Sequence, residues 1–582
     1  MKNVTKKTIS AVLALCLTGG LLSTNEFNPV SDSNIISAET FSNDDFSYTV
    51  SDKTGVTITK FINETKTDVT VPDEIGGVPV TVIDSEAFAK SQVINVTLGN
   101  NITSINSYAF SGCTSLTEIN IPDSVTDIGD YAFRDCSSLK SFTSGANLVS
   151  IGNFAFINAR LLETVVFYDS LKKIGNSAFG SCISITSVNI PDSVTSIGTS
   201  AFGNCSSLKK VNMGKSVSHL GYYAFKDCIN LDKLTLSPSL KKISYEAFRG
   251  CSSLTDITLP DSVTDIDSYA FSNCISLKSF TADTNLVSIG EYAFSSSAIE
   301  TVIFNDSLKE IGDCAFENCK NITSVNIPDS VTLIGSSAFS RCSSLKEVTM
   351  GKSAISMESF SFSECVNLDK VTLSPFLKSI PRAAFWGCTS LTEITVPDSV
   401  TSIDYWAFED CINLKKVVIG RNTSTIQDNE FCDAKDVTLY VYQDSAAHKY
   451  AVKNNISYVI IDETTEPPVT TPIVTTTPFV SETTVPGTTV TSESAAANTS
   501  SVSYPPAVSV SIPAATTTAY IVSDPMECDI NDDEVVTTAD LIKIMQVILS
   551  QIPASECPAA DINKDGYVNV LDFIAVRKIF LG

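Results

Sequence analysis

Apolar positions in this chain recur with a period much longer than a helical turn or a strand alternation. Sixteen phenylalanines from Phe88 to Phe431 follow one another at steps of 23 residues, with steps of 22 only at Phe88 to Phe110 and Phe294 to Phe316. One complete unit, 116–138, reads LTEINIPDSVTDIGDYAFRDCSS and places apolar residues at Leu116, Ile119, Ile121, Val125, Ile128 and Phe133. The L-x-x-I-x-I spacing is the two-residue alternation of a short strand. Pro122 and Asp123 then turn the chain, and the I-G-x-x-A-F stretch is expected to return it through a helical or 3₁₀ arc. One unit cannot bury its own apolar edge. The pattern therefore predicts stacked coils whose strands run parallel, about 4.8 Å apart.

A longer repeat lies over the short one. Segments 187–202 and 324–339 differ at two positions, and flanking pairs match in the same order. A six-unit block beginning near Thr117 recurs at Thr255, an offset of 138, with one residue lost near Ser297. The period also assigns the surface. One outward strand column includes Glu118, Ser187, Lys210, Lys233, Glu347 and Lys370, and its neighbour is mostly Asn and Thr. Such a face can recognise a protein or glycan, or Thr and Asn can simply suit exposed stacked strands. Aromatic residues just before the A-F pair, such as Tyr108, Tyr131, Phe154 and Trp406, either form a sugar-stacking ridge or pack against neighbouring turns. A cysteine column, from Cys113 to Cys411, occupies one inward position per unit and is replaced by Ala159 and Ser297 without a partner changing. Small buried thiols explain that column better than a disulfide framework, although disulfides are usual in exported chains.

These phased 23-residue units resemble the leucine-rich-repeat family, in its BspA-like bacterial surface form. The resemblance extends over about 41–462 and implies an α/β repeat: a leucine-rich-repeat solenoid with short parallel strands. An N-terminal cap is expected at 41–85 with a hairpin entry, repeats at 86–432, and a C-terminal cap at 433–462 made of a helix and a strand.

Charge and termini narrow the function. A net charge of −26 and a pI near 4.4 argue against nucleic acid, which demands a basic face, and against an anionic membrane surface. Residues 1–38 read as an export signal, with Lys2, Lys6 and Lys7 ahead of a short apolar stretch at 11–22. Cys16 invites a lipoprotein reading, against which Leu15 stands, being larger than the small residue that lipid attachment usually requires. No later segment is long and apolar enough to span a membrane, so a secreted or extracellular location, in a cell-surface or larger complex, is expected.

At 463–524 the chain becomes a Thr/Pro/Ser-rich linker. Beyond it the chemistry sharpens. Asp561, Asn563, Asp565, Tyr567, Asn569 and Asp572 fall at positions 1, 3, 5, 7, 9 and 12 of a calcium loop, with Gly566 at the sharp turn. A first copy runs Asp529, Asn531, Asp533, Val535, Thr537 and Asp540. Hard Ca²⁺ takes six to eight oxygens, here carboxylates, amides or a hydroxyl, and the backbone carbonyl of Val535 or Tyr567. Each loop leads into an apolar helix, and position 12 is Asp rather than Glu. The tandem pair at 525–582 resembles a type I dockerin, a small all-α module built as a paired F-hand with two Ca²⁺ sites. That resemblance implies docking to a cohesin module of a scaffoldin in a cellulosome. It implies further that Thr538, Ala539, Val570 and Leu571 help choose the cohesin, and Arg577 and Lys578 match later contact positions. Glu534 stands where loop 1 would take Gly, and Cys528 and Cys557 are candidates for a bridge.

Caps, repeats, linker and docking module leave no stretch for a separate catalytic domain. The two histidines, His219 and His448, show no orienting partner for hydrolase chemistry. The expectation is a non-catalytic secreted component, docked through calcium, whose solenoid binds a protein or glycan in plant polysaccharide degradation. A surface-adhesion or spacer rod without a specific ligand, and a carbohydrate-cleaving enzyme, are the alternatives.

Overall fold

The computed structural model describes residues 40–461, apart from 52–54, 282–284, 429 and 432. Each unit contributes two short parallel strands, as the alternation predicts. Ser141–Thr143 pairs with Thr164–Val166, Ser141 facing Thr164, while Ser150–Ile151 lies between Asp127–Ile128 and Lys173–Ile174. Partners are one unit apart along the chain, so every coil lies directly over the last. The second strands join in one unbroken order from Val78–Ile83 to His219–Leu220 and in another from Lys242–Ile243 to Ser356–Met357. The first strands form smaller groups, such as Ser187–Asn189, Lys210–Asn212 and Lys233–Thr235.

The return arc is where structure and expectation differ. It is neither helical nor 3₁₀ but a run of β-turns stacked between coils. Ala132, Arg134 and Cys136 donate their N–H groups back three residues, to Gly129, Tyr131 and Phe133. The N–H groups of Tyr131, Phe133 and Asp135 instead donate to Asn153, Ala155 and Ile157 of the next coil, at 2.7–2.9 Å. Two residues per arc, Tyr131 and Asp135 in this unit, sit at φ 59° and 58°. Positive φ at the third residue of a turn is the type II signature and is incompatible with helix propagation. Only one helix occurs among the described residues, Ala446–Lys453.

The core is a column of rings. Consecutive period phenylalanines stack at centroid separations of 4.7 Å (Phe88 on Phe110) to 5.8 Å (Phe362 on Phe385). Ile, Leu and Val from both strand series surround them, almost all fully buried. Beside this column the thirteen described cysteines are all unbonded, and all but Cys314 are buried. Each column thiol donates to the carbonyl of the phenylalanine one unit back, as from Cys205 to Phe179 at 3.2 Å and from Cys274 to Phe248 at 3.3 Å. Burial pushes the thiols up, to about 12 for Cys205 and Cys274. They fill a tight corner as weak donors, and the disulfide framework does not form there.

Both ends are closed. At the start Phe46–Ser51 pairs antiparallel with Gly55–Phe61, and Phe61 stacks on Phe88 at 5.2 Å. At the finish Ser445 caps the helix Ala446–Lys453 by accepting from the His448 N–H. Tyr450 of that helix sets its ring edge-on to Phe431, and Ser457–Ile460 adds a parallel strand to Thr438–Val441. Without such caps the last ring and the last strand edge would face water.

Candidate functional site

The first strand of each unit presents an exposed–buried–exposed triplet. In Ser187–Asn189, Val188 enters the core while Ser187 and Asn189 face out. Outward amides link the rungs, as where Asn212 Nδ2 donates to Asn189 Oδ1 at 2.7 Å. Charges are placed directly opposite one another: Lys210 faces Lys233, and Glu347 faces Lys370. Further along, Glu393 and Lys416 form an exposed ion pair at 3.5 Å. The recesses described here are open and polar. One is lined by Asp369, Lys370, Glu393, Asn413 and Lys415, another by Glu310, Asp313, Leu333 and Glu358.

The aromatic residues before each A-F pair stack on one another along the rod. Tyr108 to Tyr131 and Tyr131 to Phe154 are 4.6 and 4.7 Å apart and within 7° of parallel. Their faces are therefore occupied by neighbouring rings, which favours packing over a sugar-stacking ridge. They hold the αL positions of the arc, Tyr108 at φ 61° and Phe154 at 57°. A bulky residue with positive φ is strained, and ring stacking offsets that strain here. Toward the C-terminal end of the repeats the chemistry changes: Arg382 lies 4.2 Å over Trp406, and Trp386 Nε1 donates to Asp410 at 3.1 Å.

Two carboxylates with unusual surroundings break columns of the period: Glu246 stands where several units carry an aromatic residue, and Glu430 where the others carry the Ala, once Ser, before the period phenylalanine. Glu246, nearly buried, accepts ion pairs from Lys226 at 2.7 Å and Arg249 at 2.9 Å. Burial pushes its carboxyl up, but Lys226, Arg249 and Tyr245 hydrogen bonds outweigh that and hold it below the usual range. Aligning the units exposes this cluster, because Glu246 replaces the aromatic residue of its column. Glu430, 1% exposed, accepts from the Trp406 N–H through Oε1 at 2.9 Å, while its own N–H donates to the Tyr450 hydroxyl at 3.1 Å. Its Oε2 is buried without a hydrogen-bond partner. Among the described residues no group of three or more His, Cys, Asp or Glu is arranged to hold a metal ion, and no helix is long and apolar enough to cross a membrane.

Residues 81–209, 195–323 and 309–438 match the BspA type leucine rich repeat region (6 copies). The chain belongs to the BspA-type leucine-rich-repeat family. Residues 527–581 match the type I dockerin domain, so this BspA-type protein carries a C-terminal dockerin. A leucine-rich repeat protein from Bacteroides ovatus is 26% identical with a TM-score of 0.56, the match covering 72% of this chain and 100% of that one. A leucine rich repeat protein of T. pallidum is 28% identical with a TM-score of 0.31, covering 33% of this chain and 91% of that one. A leucine rich cell surface protein from Faecalibacterium prausnitzii is 22% identical with a TM-score of 0.30, covering 72% and 98%. No curated protein matches.

Repeats of the BspA type are protein-interaction modules, and type I dockerins are calcium-binding modules that dock on cohesins in cellulosome-type complexes. Neither module is catalytic, and together they point to an extracellular or cell-surface protein. The twelve calcium-loop positions from Asp529 to Asp572 lie outside the described residues, as do Thr538, Ala539, Val570, Leu571, Arg577, Lys578 and the pair Cys528 and Cys557. Their donor chemistry still fits the ion: carboxylates, amides, a hydroxyl and two backbone carbonyls are all hard oxygens, with no thiol or imidazole at a ligand position.

Proposed function

We propose that this protein is an exported, non-catalytic component of a polysaccharide-degrading assembly, which its dockerin attaches to a scaffoldin while the solenoid binds a separate macromolecule. The observation that carries this reading is the join of a dockerin match at 527–581 to a rod whose described recesses are open and polar. In it Asp529, Asn531, Asp533, Thr537 and Asp540, with the Val535 carbonyl, hold one Ca²⁺. Asp561, Asn563, Asp565, Asn569 and Asp572, with the Tyr567 carbonyl, hold the second. Calcium would fix each loop against its exit helix and so present Thr538, Ala539, Val570 and Leu571, with Arg577 and Lys578 further on, to the cohesin.

The test is binding of the full chain to a panel of cohesins, first in calcium and then in chelator. Nanomolar binding that disappears on chelation is the expected outcome. Failure to bind any cohesin, with calcium bound, would leave the tandem loops as a stabilising cap and overturn the docking half of the reading.

A further inference from the structure

The internal duplication gives this rod its own control. The sheet Ser187–Asn189, Lys210–Asn212, Lys233–Thr235 in the first block corresponds strand for strand to Ser324–Asn326, Glu347–Thr349, Lys370–Thr372 in the second. Sequence in these strands is SVN, KVN, KLT against SVN, EVT, KVT. Buried positions are kept or exchanged between apolar residues, and backbone pairing is the same. What differs is the outward charge: a lysine opposes a lysine in the first sheet and a glutamate opposes a lysine in the second.

Like charges directly opposed on a ladder destabilise it, and the second sheet demonstrates that the fold accepts the favourable alternative at the same rung. Lys210 and Lys233 are both exposed and form no ion pair among the described residues, although Asp232 and Asp256 are nearby in sequence and column. The excess extends past this sheet. Residues 163–242 hold nine lysines against five acidic side chains, whereas 300–379 hold seven basic against ten acidic ones. The second-strand series, a separate sheet, shows the same bias, since Lys173 of the strand Lys173–Ile174 corresponds to Glu310 of Glu310–Ile311. A locally basic face on a chain of net charge −26 is not explained by solubility, which the acidic surface already supplies.

We propose that this first-block face binds a linear polysaccharide bearing carboxylates, a polyuronate, and that the equivalent face of the second block does not. The inference rests on the reading of the solenoid as a ligand-binding rod and names its ligand class. Ammonium groups on rungs about 4.8 Å apart suit a chain with a carboxylate on each sugar. The asparagine ladder of Asn189 and Asn212 supplies amide donors and acceptors for sugar hydroxyls alongside. The outward positions of the three strands carry Ser, Asn, Lys and Thr only, without the aromatic or apolar anchors that concentrate energy in protein interfaces. That composition favours a hydrated polyanion over a folded protein surface.

The test is affinity electrophoresis of the full chain, with calcium held constant, through gels containing polygalacturonate, its methyl ester, a neutral glucan or poly-glutamate. Retardation by polygalacturonate alone, falling steeply as salt rises, is expected. The variant K210E should weaken that retardation about threefold, because an attractive contact becomes repulsive. It should keep the melting temperature, since the second block folds with glutamate at the equivalent position, Glu347. The converse variant, E347K, should bind more tightly than the wild type. Equal retardation by poly-glutamate would assign the face to an acidic protein segment and overturn the proposal, as would retention by neutral glucan or by no polymer. Cohesin binding is measured on the same preparations, so loss of docking and loss of glycan binding are read separately.

Discussion

Glu430 makes the C-terminal end of the rod sensitive to pH. Its carboxyl is buried where the last repeat meets the cap helix, with one oxygen accepting from the Trp406 backbone and the other unpartnered. Burial pushes it from the ordinary 4.5 up to about 7, against backbone donors from Trp406, Ala407 and Phe408, and Glu409 adds repulsion. Glu409 itself is raised by burial and by Asp410 and Asp433. The folded state thus holds the Glu430 proton more tightly than the unfolded state does. Its stabilisation is complete below the unfolded value near 4.5 and is lost as pH rises through about 7. The shift is equivalent to roughly 3 kcal/mol at about 1.4 kcal/mol per pH unit, and on the order of 2 kcal/mol once solvent screening near the surface is allowed for.

The chain has two tryptophans, Trp386 and Trp406, and both lie in this end of the rod. Intrinsic fluorescence in a urea titration therefore reports the last coils selectively, while far-ultraviolet circular dichroism reports the whole solenoid. The fluorescence midpoint should fall between pH 5 and pH 8 by the equivalent of about 2 kcal/mol, and the Glu430→Gln variant should show most of that dependence removed and be the more stable protein at pH 8. A wild-type end that is as stable at pH 8 as at pH 5, or a variant that titrates like the wild type, would refute the reasoning.

The packing of the rod sets further outcomes. Phe202, fully buried between Phe179 and Phe225 at 5.3 Å on each side, should cost about 3–5 kcal/mol when replaced by Ala, and calorimetry should find the melt broadened as the rod divides at the cavity. The cysteine column should be silent to a thiol reagent under native conditions while Cys314, half-exposed, reacts; after denaturation the column should titrate in full, and a deficit would mean bridges. Asp561→Ala with Asp572→Ala should lower calcium stoichiometry from two to one by calorimetry and weaken cohesin binding at least tenfold.

The strands and the Phe column were legible because each is an apolar position repeated at a fixed period, and a period is visible without any knowledge of contacts. The C-terminal helix was legible for a similar reason: Ser445 is a cap residue ahead of Ala-rich sequence. The return arc was not. Its conformation depends on positive φ, and the local signal is divided: Asp135, Asn158 and Gly250 advertise αL, while Tyr131 and Phe154 argue against it. The positive φ recurs in the same column at Ser177, Ser200 and Ala383, so it follows from the stacked turns of neighbouring coils, which local sequence does not reveal. Glu430 was legible only as a break in the column of buried alanines, and its hydrogen-bond partner Tyr450 lies twenty residues on in a cap that follows no period.

That division between periodic and non-periodic residues also says where specificity can reside in such a rod. Every coil must present inward residues of similar size and polarity, because the ring above and the ring below both pack on them, and a change there is felt by two neighbours. Outward residues meet only solvent and the adjacent rung, so they can diverge after duplication at little cost. The two blocks follow this rule: Val188, Val211 and Leu234 correspond to Val325, Val348 and Val371, whereas Lys210 and Lys173 correspond to glutamates. Divergence toward favourable pairing in one block needs no ligand to explain it. The first block instead carries a lysine pair, Lys210 opposite Lys233, that the fold does not require, and a bound polyanion would offset its repulsion.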